Sequence, residues 1–344
     1  MIWGPSIQNS GLIPVDFGRS DVTKPVFIFS LPRSGSTLAQ RILTRSSAVA
    51  SASEPWLLLP FLYTLRERGQ FSEYWHGRTV EAVQDFCEIL PGGEAAYRVE
   101  LAGFVRRLYG RAAGKEAIYF LDKTPRYHLV AEEIVEMFAD GKFIFLWRHP
   151  LAVAASIMET WGGGRWKLHA YKIDLYTGLE NLVDCYELHA NRALSIRYED
   201  MVSEPEATFR SIMEYLELPF EEEMVDSFPE VKLSGRMGDP TGTRQYFALS
   251  DEPLSKWKKG FCNPVRKQWA RSYLRWLGTE RLSTMGYDHD SIMAELDAIP
   301  QQMKNLGWDV LLRTYGIVYC LFEPAIVAYK LRTAKRWFRV HSHR

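Results

Sequence analysis

Residues 25–45, PVFIFSLPRSGSTLAQRILTR, constrain the fold more than any other part of the chain. Residues 26–31 are a short apolar run with β-branched and aromatic side chains, which is typical of a buried parallel strand. Pro32 ends this run, and residues 34–37 then supply one glycine and three hydroxyl groups. The following residues recur at helical spacing, with Leu38 inward and Arg41 outward. We therefore predict a strand, a loop and a helix in direct succession, at the start of an α/β domain.

The predicted loop has the chemistry of an anion-binding site. The first N–H groups of a helix and its dipole attract an anion, Gly35 allows close backbone approach, and Arg33 adds a permanent forked charge. A loop that binds a nucleotide triphosphate requires G-x-x-x-x-G-K-[ST], and here the first glycine and the lysine are missing. Triphosphate binding is therefore disfavoured, and a plain turn is the alternative for these residues in isolation.

Charged residues follow further predicted strands. Glu54 comes after a short strand near Val49, which we place beside the first strand, and Lys123 comes after a strand at 117–121. Arg148 follows the strand KFIFLW at 142–147. Because the carboxyl ends of parallel strands form the ligand crevice of an α/β sheet, we expect these side chains at one edge. The alternative for each is a solvated charge at a strand end.

Together these segments resemble the sulfotransferases that use 3′-phosphoadenosine 5′-phosphosulfate (PAPS). The string P-R-S-G-S-T at 32–37 is similar to the 5′-phosphosulfate loop of the carbohydrate and tyrosylprotein branch, and the resemblance extends over residues 26–287. It implies a P-loop-like central parallel sheet flanked by helices. It also implies in-line transfer of a sulfuryl group from PAPS to a hydroxyl or amine, which leaves the product PAP and requires no metal.

The resemblance assigns roles to individual residues. The tyrosylprotein branch has its glutamate base twenty-one positions after the loop arginine, which is where Glu54 stands relative to Arg33. The histidine base of the cytosolic branch is replaced by Pro125, and His128, His149 and His169 are the other candidate bases. The implied catalytic residues are Glu54, Lys123, Arg33 and Ser255. The implied cofactor-binding residues are Arg33, Ser34, Gly35, Ser36, Thr37, Leu38, Arg148, Ser156, Tyr198, Ser255, Lys256, Trp257, Lys258, Lys259 and Gly260.

Composition narrows the class of protein. The formal net charge of the 344 residues is zero, so nothing global indicates nucleic acid as a partner. The four cysteines form no C-x-x-C pair, which favours a reducing compartment. The first residues lack the pattern of a secretory signal, and we expect a cytoplasmic enzyme, either free or at the inner face of the membrane. The runner-up function is a P-loop nucleotide-binding protein or small-molecule kinase, and a third is a sulfotransferase-like protein that only binds.

We divide the chain into an arm (1–24), a sulfotransferase domain (25–290) and a helical, apolar and basic C-terminal extension (291–344). Within that extension an apolar run is interrupted by Glu323 and Pro324, and a basic and aromatic segment follows. It is expected either to lie on an anionic membrane or to cover the core or a partner subunit in a homodimer. The polar segment 235–250 is expected to be a functional loop. The acceptor is a hydroxylated glycan, lipid, polyketide or peptide, and the sequence does not distinguish among them.

Overall fold

The structure, a computed structural model, describes residues 23–67, 69–70, 75–231, 233–235 and 252–322. Nearly all of the predicted arm, most of the predicted loop at 235–250 and the segment 323–344 lie outside the described residues. Within the described ranges, five strands form one fully parallel sheet in the order β2-β3-β1-β4-β5. The strands are β1 (Lys24–Phe29), β2 (Val49–Ser51), β3 (Tyr119–Asp122), β4 (Lys142–Trp147) and β5 (Ala193–Arg197).

Helices connect the strands and cover both faces of the sheet, as predicted for this fold class. Among the described helices, none combines the length and apolarity needed to cross a membrane. The helices are α1 (Ser36–Leu43), α2 (Leu58–Leu62), α3 (His76–Ile89), α4 (Gly93–Ala113), α5 (Ala131–Met137), α6 (Pro150–Gly162), α7 (Leu179–His189), α8 (Tyr198–Ser203), α9 (Pro205–Tyr215), α10 (Glu223–Ser227), α11 (Glu252–Lys256), α12 (Pro264–Thr284), α13 (His289–Ala298) and α14 (Leu306–Phe322). The domain boundary predicted at residue 290 falls near the start of α13 and stays a prediction.

The core follows from the alternation of side chains along the strands. Phe27 and Phe29 of β1 and Phe143 of β4 stack on one face of the sheet, where α4 to α7 and α12 pack. Ile28 and Ile144 point to the opposite face, which α1 and α8 to α10 cover. Continuous apolar runs are what strands need when both faces are buried. Because helices cover both faces of the sheet, a site is expected at the ends of the strands.

The strand order creates a crevice at the carboxyl end of β1. The chain leaves β1 toward β3 and β2 on one side, and it leaves β4 toward β5 on the other side. Where connections diverge in this way, a doubly wound sheet has its ligand crevice. The expectation that the strand near Val49 pairs with the first strand is wrong, because β3 and β4 occupy both edges of β1 and β2 pairs with β3.

The expected outward position of Arg41 on α1 is also wrong. Its side chain is buried, with the guanidinium 5.6 Å from the centre of the Phe228 ring and Nη2 donating to the Pro229 carbonyl at 2.8 Å. The cause is the segment from α10 onward, which packs across α1 and was not visible in the periodicity of α1 itself. Arg45, one turn later, is exposed.

Replacing Phe27 with alanine tests the aromatic layer. Because Phe27 is fully buried and its ring contacts those of Phe29, Phe143 and Phe138, we expect Phe27→Ala to lower the free energy of unfolding by about 3 to 5 kcal/mol. Denaturant unfolding measures this loss. Phe86→Ala is the control, since Phe86 is exposed and its removal is expected to change stability by only about 0.5 kcal/mol. Equal losses in both variants would contradict the packing described here.

Candidate active site

The loop between β1 and α1 is held in an unusual backbone conformation. Arg33 has φ 71° and Gly35 has φ 91°, both in the left-handed region that disfavours side chains. A Cβ atom at Gly35 would lie 2.3 Å from Cδ2 of Tyr198, so the tyrosine ring presses directly against the loop. Glycine is therefore required at this position for two separate reasons. The N–H groups of Ser36 and Thr37 open α1 just beyond this contact.

Arg148 and Ser156 are brought to the same loop. Arg148 Nη1 donates to the Arg33 carbonyl at 2.8 Å, and its guanidinium lies 4.1 Å from the centre of the Tyr198 ring. Ser156 Oγ accepts from Arg33 Nε at 3.3 Å. The buried Nε of Arg148 has no hydrogen-bond partner among the described residues. Four of the predicted cofactor-binding residues thus form one cluster at the carboxyl ends of β1 and β4.

Lys123 and Glu54 form a buried ion pair beside the loop. Lys123 Nζ lies 2.8 Å from Glu54 Oε1 and donates to Thr37 Oγ1 at 3.3 Å. The side chains of Lys123 and Glu54 are only 1% and 11% exposed. The ammonium therefore joins the carboxylate, which follows β2, to the first turn of α1. The two residues predicted from separate strand ends lie in direct contact.

Gln40 positions the segment that carries Glu54, although sequence reasoning did not identify it. Its fully buried amide Nε2 donates to Ser51 Oγ at 2.7 Å and to the Ala52 carbonyl at 2.6 Å. Ser51 Oγ in turn donates to the Leu121 carbonyl of β3 at 2.6 Å. Because Gln40 is on α1, the chain after β2 is tied to the helix that follows the loop between β1 and α1. A glutamine within an apolar helical pattern is the only trace of this role in the sequence.

Trp56 is a second residue that sequence reasoning did not assign. Its indole Nε1 donates to Glu54 Oε2 at 3.2 Å, and its backbone N–H donates to Thr124 Oγ1 at 3.2 Å. Trp56 adopts φ 54°, a conformation that is rare for a bulky side chain and that suggests a functional constraint. Both carboxylate oxygens of Glu54 therefore have a donor, Lys123 on one and Trp56 on the other.

Asp122 anchors the end of β3 beneath this pair. Its buried carboxylate accepts from the hydroxyl groups of Tyr109 at 2.5 Å, Tyr127 at 2.9 Å and Thr124 at 3.0 Å. Burial raises the pKa of Asp122 to about 6, although these three donors and Lys123 act in the opposite direction. Since Thr124 also receives the N–H of Trp56, the network connects β3 to the segment after β2.

The predicted cofactor-binding residues 255–260, within the sequence LSKWKKG at 254–260, lie in two different places. Trp257 is buried and stacks on His149 with ring centres 4.5 Å apart, and Gly260 lies against Ala155 of α6. Lys258 instead pairs with Glu295 of α13, with 3.0 Å between Nζ and Oε2. Ser255, Lys256 and Lys259 are exposed. The structure therefore brings Trp257 and Gly260 toward the Arg148 cluster and places the Lys258 ammonium beside α13.

Each of the three histidines considered as an alternative base has contacts of its own. His149 Nδ1 accepts the N–H of Ala152 at the start of α6, and burial, followed by the charge of Arg148, lowers its pKa to about 3. His128 is fully buried with Nε2 2.8 Å from Asp174 Oδ1. The ring of His169 packs against Tyr315 of α14, with 5.7 Å between ring centres.

Leu38 contributes to the site from behind the loop. Its side chain is buried in the core under the sheet, and its N–H donates to the Gly35 carbonyl at 2.9 Å. The buried hydroxyl side chains of Ser34 and Ser36 belong to the loop itself. In the described part of the chain, no group of three or more His, Cys, Asp or Glu residues is arranged to hold a metal ion.

Comparison with known proteins identifies the family. A family model described as the sulfotransferase family matches residues 25–222, which is more than half of the chain. The chain belongs to the sulfotransferase family. The match covers β1 except for Lys24, the other four strands, the loop between β1 and α1, and the segments that carry Glu54, Lys123 and Arg148.

The individual proteins that the chain resembles are of several kinds. The chain is 32% identical over 147 residues to nodulation protein NoeE of Sinorhizobium fredii, which covers 40% of the chain and 31% of that protein. It is 22% identical over 305 residues to protein-tyrosine sulfotransferase A of Caenorhabditis elegans, which covers 86% of the chain and 70% of that protein. A solved sulfotransferase domain from the curacin biosynthetic pathway superimposes with a TM-score of 0.47 at 22% identity, over 69% of this chain and 90% of that one. The chain thus spans less than a third of NoeE.

The raised pKa of Asp122 predicts a particular pH dependence of stability. A carboxyl group whose pKa rises from 3.8 to about 6 on folding stabilises the folded state most below pH 4, and this contribution is lost as the pH rises through 6. Relative to Asp122→Asn, the wild type should therefore gain about 2 kcal/mol of stability on going from about pH 7.5 to about pH 4.5. Denaturant unfolding at both pH values measures the difference. Asp184→Asn, at an exposed position, is the charge-matched control, and the same gain there would contradict the assignment.

Proposed function

We propose that this protein transfers a sulfuryl group from PAPS to a hydroxyl or amine group of an acceptor. The observation that carries the proposal is the position of the Lys123 ammonium, which contacts both the Glu54 carboxylate and Thr37 of the phosphate loop. A candidate base, a cation and an anion-binding loop are thereby in contact, which is the set of groups that group transfer to a hydroxyl needs. Membership of the sulfotransferase family supports this reaction over a kinase.

The residues around the loop fit a ligand with two anionic groups. Arg33 and the first N–H groups of α1 suit the 5′-phosphosulfate of PAPS. Arg148 and Ser156 suit its 3′-phosphate, and the buried Nε of Arg148, without a partner among the described residues, is a donor that such an anion would satisfy. PAPS supplies a sulfuryl group on a phosphate leaving group, and the product PAP retains both phosphates.

In the proposed reaction the protein supplies positioning and fixed charge. Glu54 accepts the proton of the acceptor hydroxyl, and its orientation is held by Trp56 and Lys123. A loose in-line transition state, as in phosphoryl transfer, places negative charge on the bridging and equatorial oxygens. Lys123, Arg33 and the N–H groups of the loop stabilise that negative charge. The water-poor position of Lys123 strengthens this effect, because charges interact more strongly away from solvent.

A two-stage experiment tests the proposal directly. Native mass spectrometry of the purified protein, with PAP, adenosine 5′-phosphate and ATP offered in turn, should show preferential binding of PAP. Turnover of PAPS is then screened against glycan, lipid, polyketide and peptide hydroxyl acceptors. Binding of ATP in preference to PAP would overturn the proposed cofactor.

Arg148→Ala is expected to remove recognition of the 3′-phosphate. Loss of a charge-assisted hydrogen bond should weaken PAP binding by about tenfold or more. Isothermal titration calorimetry with PAP and with adenosine 5′-phosphate separates the two ends of the ligand, because only PAP has the 3′-phosphate and only its affinity should fall. Ser156→Ala is expected to act in the same direction. Arg275→Ala, at an exposed position on α12, is the matched control, and an unchanged PAP affinity in the folded Arg148→Ala variant would remove Arg148 from the site.

Glu54→Gln is expected to separate chemistry from binding. The amide can still accept from Lys123, but it cannot take a proton, so turnover with the acceptor found in the screen should fall by about a hundredfold or more. PAP affinity, measured by calorimetry, should be retained. Glu230→Gln is the control, since Glu230 is an exposed glutamate that pairs with Arg45 at 3.5 Å. Normal turnover by Glu54→Gln would mean that another group is the base.

A further inference from the structure

Arg126 is a cation beside the candidate active site that has no role in the reaction described above. It belongs to a short 3₁₀ turn, Pro125–Leu129, just beyond the carboxyl end of β3. The hydroxyl group of Tyr127 in this turn accepts the N–H of Leu58 at 3.1 Å, so the turn packs against the segment that follows Glu54. Arg126 is therefore on the same side of the crevice as the candidate base.

A buried carboxylate holds the Arg126 side chain. Arg126 Nε lies 3.1 Å from Asp174 Oδ1, and the same oxygen is 2.8 Å from His128 Nε2. The side chains of Asp174 and His128 are completely buried, whereas that of Arg126 is 29% exposed. The nitrogens Nη1 and Nη2 of Arg126 have no hydrogen-bond partner in the described part of the chain, and they are not buried. The held nitrogen is thus the inner one, and the forked end of the guanidinium is accessible.

The contact with Asp174 does not use the forked end of the arginine. Where an arginine serves as counter-ion to a buried carboxylate elsewhere in this protein, two of its nitrogens bond the two oxygens. Arg266 donates to Asp309 in this way, from Nε at 2.6 Å and from Nη2 at 3.0 Å. Because Arg126 approaches Asp174 through Nε, its terminal N–H groups are left for a second anion. A planar fork of donors matches the oxygens of a carboxylate or a phosphate.

Two stacked aromatic rings connect the surroundings of Arg126 with the loop between β1 and α1. The Trp161 ring lies 6.0 Å from the Arg33 guanidinium and stacks on Tyr171 with ring centres 4.7 Å apart. Burial raises the pKa of Tyr171, the charge of Asp174 adds to the rise, and the nearby charge of Arg126 opposes it. A row of partly exposed side chains therefore extends from Arg33 to Arg126.

The strand order places this row on the acceptor side of the crevice. The residues proposed to bind PAPS lie on the loop after β1 and at the end of β4 and on α6, whereas Glu54 and Arg126 follow β2 and β3. In the sheet, β3 and β2 lie on one side of β1 and β4 lies on the other. An acceptor whose hydroxyl group reaches Glu54 therefore occupies the side on which the Arg126 fork is accessible.

We propose that Arg126 binds an anionic group of the acceptor, a carboxylate or a phosphate, and that the substrates are hydroxylated compounds carrying such a group. This inference rests on the proposed sulfuryl transfer and names the class of acceptor. The partly exposed rings of Trp56, Trp161 and Tyr171 suit an acceptor that also contains a sugar or aromatic ring. An acceptor bound at its anion by Arg126 and at its hydroxyl by Glu54 is held at two points, which orients the reacting oxygen.

Matched acceptors that differ only in charge test this proposal on the full chain. Glucose is compared with glucuronate and with glucose 6-phosphate, and 4-hydroxyphenylacetamide is compared with 4-hydroxyphenylacetate. The anionic compound should be preferred by about tenfold or more in kcat/KM with PAPS, because it gains a charge-assisted hydrogen bond. Calorimetry on the PAP-saturated protein measures the same preference as binding, and it decides the matter if no probe is sulfated. The order of glucuronate and glucose 6-phosphate shows whether the fork takes a carboxylate or a phosphate.

Arg126→Gln should reduce the preference for the anionic compound to about one, whereas Arg126→Lys keeps the charge without the fork and should retain part of it. If Arg126 were only a counter-ion to Asp174, the substitution would lower stability and affect charged and neutral acceptors equally. The ratio between the two acceptors therefore separates recognition from folding. Arg126→Lys provides the comparison if Arg126→Gln does not fold.

Arg98→Gln is the matched control for these measurements. Arg98 is 27% exposed and also pairs with carboxylates, at 2.7 Å from Glu94 and 3.3 Å from Glu136. Glu136 is near the end of α5, which leads to the amino end of β4 and so away from the crevice. The preference of Arg98→Gln should equal that of the wild type. A wild-type ratio near one, or a ratio that persists in Arg126→Gln, would overturn the proposal. Either result would leave sulfuryl transfer standing, because PAP binding and PAPS turnover test that reaction separately.

Discussion

The buried ammonium of Lys123 is the interaction on which the rest of the site depends. Removing a charged group from water costs several kcal/mol unless partners replace the lost solvation. Here those partners are Glu54, from the segment after β2, and Thr37, from the first turn of α1. Lys123 itself follows β3, which lies between β2 and β1. The strand order β2-β3-β1 is therefore the arrangement that allows one cation to reach both partners.

Asp122 and Glu54 are two carboxylates in different electrostatic surroundings at the carboxyl ends of the strands. Asp122 is surrounded by hydroxyl donors and its pKa rises to about 6 because burial outweighs those contacts. The Glu54 carboxylate instead accepts from the Lys123 ammonium and the Trp56 indole N–H. The Asp122 carboxylate binds three hydroxyl groups at the end of β3, whereas the Glu54 carboxylate binds Lys123 and Trp56. The distinction rests on which donors surround each group, since both carboxylates lie at or just beyond the carboxyl ends of short parallel strands.

Local sequence patterns predicted the helices and strands. The burial and the contacts of individual side chains depend on distant segments, and these patterns did not predict them. The predicted strand KFIFLW coincides with β4, because an apolar run acts within a few residues. The burial of Arg41 depends on Phe228 and Pro229, which are far away in the chain. Gln40 and Trp56 acquire their roles in the same way. The sequence predicted Glu54 and Lys123 at strand ends, but their contact required the order of the strands.

The ring of Tyr198 has a geometric consequence for recognition. It presses on Gly35 with one edge and supports the Arg148 guanidinium at 4.1 Å, while Arg148 also holds the Arg33 carbonyl. The two groups proposed to bind anions, the loop at Gly35 and the Arg148 guanidinium, therefore contact the same aromatic ring, which sets the distance between them. A ligand with two anionic groups would therefore be selected by the distance between those two groups. A ligand with the right charges at the wrong spacing would engage only one end.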